Sequence, residues 1–575
     1  MKKQIVWLLV LSLLLTSLAG GWAAAENAAP VITSVDVPLY VKDSAHKGEM
    51  TVSFINGQTD IPYIEMSDAV LALEYIAGAL DDNRFDLTLK DDGGVMTLTR
   101  ENGSAVDIDF NRKEIRYNDF DGFFRLSYWS TPEDVVDVRC LDKDGRPVYI
   151  SRDGLTSFDR AGDPVGVRLD DGTDGYHIAI YHVDGKGYIP LQTLSDLFCS
   201  QMEYLAVYNG QAAFFLNGND PKDLSDLYYA APTGERSQVL AEYSYNELRL
   251  VLDMFYGLKE AHNIDTFSNL FEQTGLKEEL LSADALTADK ALYKLCSGYF
   301  GDLHSDFAGC SYYAGKQDLT DFVPGYSTSK DGFIEKLMPF HLAREAAYPD
   351  GTPAYEEVGN TAYITFDRFS DANDVNADYY ATPATADAKD TVGIIMYAQS
   401  QIFREGSPVE NVVLDLSNNL GGNANAAVYT IGWMLGECSI NIVNTLTGAR
   451  GTTKYMVDTN ADHVFDEKDT VASKNLFCLT SSTSFSCGNL VPASLKASGK
   501  VTMLGKTTGG GACVVLPIST ADGSLLQISG NKRISTVVNG SYYDVDQGVE
   551  PDVTITRYAD YYDRQKLTDF INNLF

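Results

Sequence analysis

Beyond about residue 355, strand-like apolar runs alternate with helical ones, and this alternation limits the possible fold more than any other feature. The runs "TAYITF", "ENVVLDLSNN", "NLFCLTSS", "KVTMLG" and "ITRY" are short and apolar. Among them lie "VGIIMYAQSQIF", "NANAAVYTIGWMLG" and "CGNLVPASLKASG", which carry helical spacing. Strands alternating with helices predict an α/β domain on a largely parallel sheet, here residues 356–575.

A chain of 575 residues exceeds one ordinary core, so further domains are expected before it. From about Pro30 to Ala230 the pattern is short alternating strands broken by turn signals such as "DDGG" and "DGKG". Within it "GQTDIPYIEMSDAVLALEYI" and "GKGYIPLQTLSDLFCS" resemble each other: a strand end, a Ser-Asp helix start, a Leu-rich helix. The arrangement resembles the copper amine oxidase N-terminal-like module. That resemblance implies an α+β unit at 26–235, duplicated internally, with a binding or spacing role and neither copper nor oxidation. Near "PTGERSQVLAEYSYNELRLVL" the hydrophobic period changes from two to about 3.6. This places a boundary near 235 and a helical segment over 236–355.

The first residues, "MKKQIVWLLVLSLLLTSLAGGWAAAENAAP", combine two lysines, an apolar run and small residues. That is the pattern of a secretory signal peptide, residues 1–25, although the run is also long enough for an uncleaved anchor. The expected location is therefore secreted or cell-envelope. Eighty acidic against 44 basic residues give a formal charge of -36, a field that repels phosphate backbones and argues against nucleic-acid partners. Eight cysteines show neither C-x-x-C nor zinc-ligand spacing.

Two strand ends are unusual. In "VVLDLSNNLGGNANAA" a strand runs into paired glycines, which let the backbone turn and aim N–H groups at a ligand. In "SSTSFSCGNLVPASLK" a strand meets a helix through a serine-rich turn, where helix-terminal amides can hold an oxyanion. Together with "GDLHSDF", and in this order, these segments resemble the carboxy-terminal-processing (tail-specific) serine peptidases, including the tricorn-like and retinoid-binding branches. The resemblance implies a ClpP/crotonase-like fold, a peptide or protein substrate, and hydrolysis through an acyl-enzyme without a catalytic cofactor.

Laid on that pattern, Ser486 takes the nucleophile's place; taken alone it would read as a helix cap. The N–H of Cys487 and one from Gly421 or Gly422 would form the oxyanion hole. The slot where most such peptidases keep a lysine base falls at Gly511, so another base is needed. His304 matches the histidine segment of the tricorn-like branch, and imidazole suits general-base work near neutrality. Lys506 is the alternative base. Asp546 or Asp544 would orient the base, with Asp302 and Ser305 as alternatives. Ser417 stands where the family has an arginine, which puts the anchoring of that loop in question. No PDZ-like segment separates the histidine from the first glycine motif. A silent relative that binds peptide, glycan or lipophilic ligand in the same cleft is the other reading.

"DTNADHVFDEKD" places Asp458, Asn460, Asp462, Val464, Asp466 and Asp469 at positions 1, 3, 5, 7, 9 and 12 of an EF-hand-type loop. His463 replaces the usual glycine and Asp469 the usual glutamate. Structural Ca²⁺ and a solvated acidic turn are the two expectations.

Overall fold

The computed structural model describes residues 29–574, except 43–46, 81–84, 126–130, 137–148, 171, 173, 174, 231, 233, 320 and 321. The signal-peptide assignment and Cys140 lie outside the described residues.

Five strands run parallel in spatial order Thr361–Thr365, Asn411–Asp415, Asn475–Thr480, Val501–Gly505 and Val553–Thr554. Tyr355–Val358 adds an antiparallel edge. Every residue of Thr361–Thr365 and Asn411–Asp415 is buried, because helices cover both faces. Side chains alternate between those faces. Ile364, Leu414 and Cys478 pack with helices Thr391–Ile402, Ala424–Leu435 and Cys487–Ala497. Tyr363, Val413 and Phe477 meet Phe340 of Ser329–Ala347 and Ile571 of Arg564–Asn572. The α/β domain expected from the alternation is present.

A second sheet was not apparent from the sequence. Its order is Asp306–Gly309, Leu525–Val538, Cys438–Asn444, Arg450–Val457 and Ile150–Arg160, with Cys513–Ser519 and Ser541–Asp544 also on Leu525–Val538. One of its outer strands follows His304 directly. The other comes from the N-terminal half: Ile150–Arg160 pairs antiparallel with Arg450–Val457. This pairing crosses the boundary read near 235.

The N-terminal half is β-rich, with a seven-stranded sheet and a five-stranded one. The two mutually similar stretches are neighbours in space. Strands Gln58–Glu65 and Lys186–Pro190 pair antiparallel, Tyr188 opposite Glu65, and each leads straight into a helix. This half shares one apolar core with helix Gln238–Phe255, where Phe120 and Phe255 meet at 6.0 Å. Among the described residues no helix is long and apolar enough to cross a membrane. The seven described cysteines are all free and buried.

Candidate active site

The two unusual strand ends meet at the carboxyl edge of the parallel sheet, where open α/β sheets place ligands. Strand Asn411–Asp415 leads through Asn418, Asn419 and Leu420 to Gly421 and Gly422. Strand Asn475–Thr480 leads through Ser481–Phe485 to Ser486. Gly421 has φ 98°, and a Cβ there would lie 2.6 Å from Ser486 Cβ and 3.1 Å from Cys487 N. Only glycine allows that approach.

Ser486 sits at the N-cap position of helix Cys487–Ala497 with φ 58° and ψ -122°, and its side chain caps nothing. A β-carbon in that region is strained by about 1–3 kcal/mol, and such outliers concentrate at functional sites. A strained strand-to-helix turn is also how a nucleophile elbow lifts its serine into the open. The neighbouring hydroxyls are tied down instead. Ser481 Oγ donates to Ser417 O (2.5 Å), Ser484 Oγ to Leu416 O (2.7 Å) and Thr483 Oγ1 to Ser417 O (3.2 Å). The Ser486 hydroxyl makes no hydrogen bond among the described residues and faces a cavity of about 1330 Å³ that His304 also lines.

Of the three amides expected in an oxyanion hole, Gly421 N–H is already used: it donates to Asn419 Oδ1 at 2.9 Å. Gly422 N–H and Cys487 N–H have no acceptor among the described residues. The glycine loop is fixed on both sides. Phe369 N–H donates to Gly421 O at 2.9 Å, and Cys487 Sγ to Gly422 O at 3.2 Å. Asn419 and Phe369 are thus site residues that the sequence reading missed; the Asn before Gly-Gly was the visible signal for the first.

His304 is delivered by the turn before strand Asp306–Gly309. Asp302 builds that turn. Its Oδ1 accepts from His304 N–H (2.9 Å), Ser305 N–H (2.7 Å) and Ser529 Oγ (3.0 Å), its Oδ2 from Tyr256 Oη (2.8 Å) and Ser305 Oγ (3.0 Å). With five donors on one carboxylate, Asp302 holds the backbone under the histidine. The imidazole lies between the large cavity and a smaller one of about 600 Å³ that also exposes His262, Lys336 and Asp546. Nδ1 is buried without a partner, which leaves Nε2 as the nitrogen available to the cavity. Burial pulls the His304 pKa below the usual imidazole value, against the opposing pull of the Asp302 and Asp546 charges. The ring is therefore neutral at neutral pH. No hydrogen bond joins it to Ser486 Oγ here; such bonds are commonly long until substrate is bound.

Asp546 is half-buried, accepts Ala512 N–H on Oδ1 at 3.0 Å, and keeps Oδ2 for a long contact from Gln547 (3.4 Å). Asp544 is elsewhere, ion-paired with Arg533. Lys506 is not brought to the site: its ammonium lies over the Tyr558 ring (4.3 Å) and the Phe340 ring (5.2 Å) and lines neither cavity. The anchoring expected from the missing arginine comes from the C-terminal segment. Arg564 pairs with buried Asp415 at 2.6 Å, and Tyr562 Oη accepts from Asn418 Nδ2 at 2.7 Å.

Residues 360–555 match the model of peptidase family S41. That match, over about a third of the chain, supports a serine-type peptidase. No curated protein matches the chain. Among solved structures it is similar to a photosystem II D1 C-terminal processing protease, at 20% identity and TM-score 0.27, over 36% of this chain and 46% of that one. The chain thus spans about half the length of that protease. It is similar also to a candidate peptidase of Parabacteroides merdae (14% identity, TM-score 0.40, 59% of this chain and 96% of that). A third is the tricorn protease (11%, 0.32, 94% and 58%).

The acidic loop stands apart from the site. His463 takes φ 62°, the conformation a glycine would supply at that position, and its ring stacks on Tyr380 at 4.0 Å. Asp458 accepts from Ala461 N–H and His463 N–H (both 2.8 Å), Asn460 from Asp462 N–H (2.9 Å), and Asp462 from Val464 N–H (2.8 Å). Asp469 accepts from Thr459 N–H at 2.8 Å and Asp466 N–H at 2.9 Å, while Asp466 accepts from Lys468 N–H at 2.8 Å. The loop's side-chain oxygens thus accept from its own backbone amides. Among the described residues no three His, Cys, Asp or Glu side chains are grouped to hold a metal ion.

Proposed function

We propose that this chain is an exported serine peptidase that works through an acyl-enzyme on Ser486, with His304 as general base. The observation that carries the reading is the Ser486 backbone: a serine at a helix start, strained and uncapping, its hydroxyl facing the cavity that His304 lines. His304 Nε2 takes the proton as Ser486 Oγ attacks a peptide carbonyl. Gly422 N–H and Cys487 N–H receive the oxyanion, Gly421 serving as the hinge that brings them together. The imidazolium returns its proton to the leaving amine, and water then repeats the sequence to free the acyl group. Asp546, which lines the smaller cavity with His304, supplies the carboxylate that would balance the imidazolium, and Asp302 sets the height of the turn. The N-terminal half, in the spacing or binding role implied by its resemblance to the copper amine oxidase module, stands beside the cleft.

The reading is tested by labelling the mature protein with a fluorophosphonate probe. Wild type is expected to label, with labelling lost in Ser486→Ala and reduced at least about a thousandfold in His304→Ala. Folded wild type that reacts with none of several such probes would overturn it in favour of the silent binding relative.

A further inference from the structure

The position where a family lysine would stand is filled, and what fills it touches the base. At Gly511 (φ 85°) a Cβ would meet Phe485 Cε2 at 2.5 Å and Cζ at 2.6 Å. The Phe485 ring occupies the space any side chain at 511 would need. The same ring packs on the His304 imidazole, centroids 4.7 Å apart and planes at 56°, and is backed by Phe333 at 6.0 Å. Its backbone is pinned: Phe485 N–H donates to Asn419 O (3.1 Å), Gly488 N–H donates to its carbonyl (2.8 Å), and residue 485 bridges Gly510. Among the described residues neither imidazole nitrogen has a hydrogen-bond partner, Nδ1 being buried, so no polar contact there fixes the ring.

Resting on the reading of His304 as base, we infer that Phe485 is its positioning residue and that Gly511 exists to admit Phe485. A bare glycine in the lysine slot and a phenylalanine one residue before the nucleophile are then two halves of one substitution, which exchanges a lysine base for a histidine. Phe485 does this by packing: it fixes the tilt of the imidazole toward Ser486 and excludes water from the buried side. The charges that act on His304 are Asp302 on its own turn and Asp546 at the smaller cavity, which His262 and Lys336 also line; Asp306, Lys330 and Asp331 line the large one. None of them touches Phe485's role, because each acts by charge.

The experiment measures the labelling rate by a fluorophosphonate against pH, at saturating and sub-saturating probe, for wild type and Phe485→Ala, Phe485→Leu and His304→Ala. Phe485→Ala is expected to lower the saturated rate about 10- to 100-fold with little change in half-saturation, as a misplaced reacting group does. Its acid limb should move up toward the ordinary histidine range, because water reaches the ring. Phe485→Leu should recover most of both. Gly511→Ala should reproduce the Phe485→Ala profile with Phe485 intact, and serves if Phe485→Ala does not fold. A Phe485→Ala profile identical to wild type, or slowed equally at every pH without recovery in Phe485→Leu, would sink the inference while leaving His304 as base. A His304→Ala protein labelling as fast as wild type would instead remove the reading beneath it.

Discussion

Two helices start side by side at the carboxyl edge of the parallel sheet, and both have a good capping residue at the N-cap. At Ala424–Leu435 the cap is Asn423, with φ -67° and ψ 129°, its Oδ1 accepting from Asn425 N–H (2.7 Å) and Ala426 N–H (3.3 Å). At Cys487–Ala497 the residue is Ser486, with φ 58°, and its hydroxyl accepts nothing. The first junction spends its polar side chain on the helix. The second leaves both the side chain and the leading amide without partners among the described residues, which costs stability and leaves them free for the chemistry proposed above. Residue type is nearly the same at the two positions; backbone conformation decides which job the side chain does.

The comparison can be broken at the loop between the junctions. Gly422→Ala places a Cβ against Phe369 O and disturbs a free amide, and should lower kcat by about 10²–10³ with KM nearly unchanged, the cost of losing one oxyanion donor. A Gly422→Ala enzyme with full kcat would remove that amide from the mechanism. The next effect is on pH. Because burial holds the folded pKa of His304 below its unfolded value, the neutral base persists to more acidic pH than an ordinary histidine would allow. The acid limb of kcat/KM should therefore lie below the usual imidazole value. The same shift means that the unfolded chain binds the proton more readily, so the contribution of His304 to stability falls as pH drops from the unfolded pKa to the folded one. A limb at or above the ordinary value would contradict a sealed base.

Stability offers a subtler contrast between the two caps. Asn423→Ala should destabilise the fold by about 1 kcal/mol, the usual value of a cap. Ser486→Gly should do the reverse, raising Tm by relief of about 1 kcal/mol of backbone strain while abolishing labelling. Equal losses in thermal melts would mean that Ser486 is a cap after all. The smallest effect concerns the acidic loop. With its oxygens closed on backbone amides, millimolar calcium should move Tm by less than about one degree, and a larger, chelator-reversible rise would show that the loop reorganises around the ion.

The parallel sheet was legible because its strands are buried on both faces and read as continuous apolar runs between helices. The antiparallel sheet was not: a strand such as "RGTTKYMV", with an arginine, two threonines and a lysine, is half polar, and its partners include a strand far away in the chain. The order of the glycine, serine and histidine segments pointed to residues that the fold brings together, since each is a short local pattern. What the sequence could not rank was the choice between Gly421 and Gly422, because it turns on one hydrogen bond from Gly421 N–H to Asn419. Nor could it dismiss Lys506, whose removal to the Phe340 and Tyr558 rings is a matter of where the C-terminal segment packs.

Strand Ile150–Arg160 completes the sheet whose opposite outer strand carries the turn of His304. A single cut in the backbone near residue 235 would leave two pieces still laced together by that ladder, migrating as one particle until denatured. A gene that began at residue 236 would instead encode a base-bearing sheet with a raw edge along Arg450–Val457, open to pairing with the same edge on another copy. The N-terminal half thus supplies an outer strand to the sheet that carries the turn of His304.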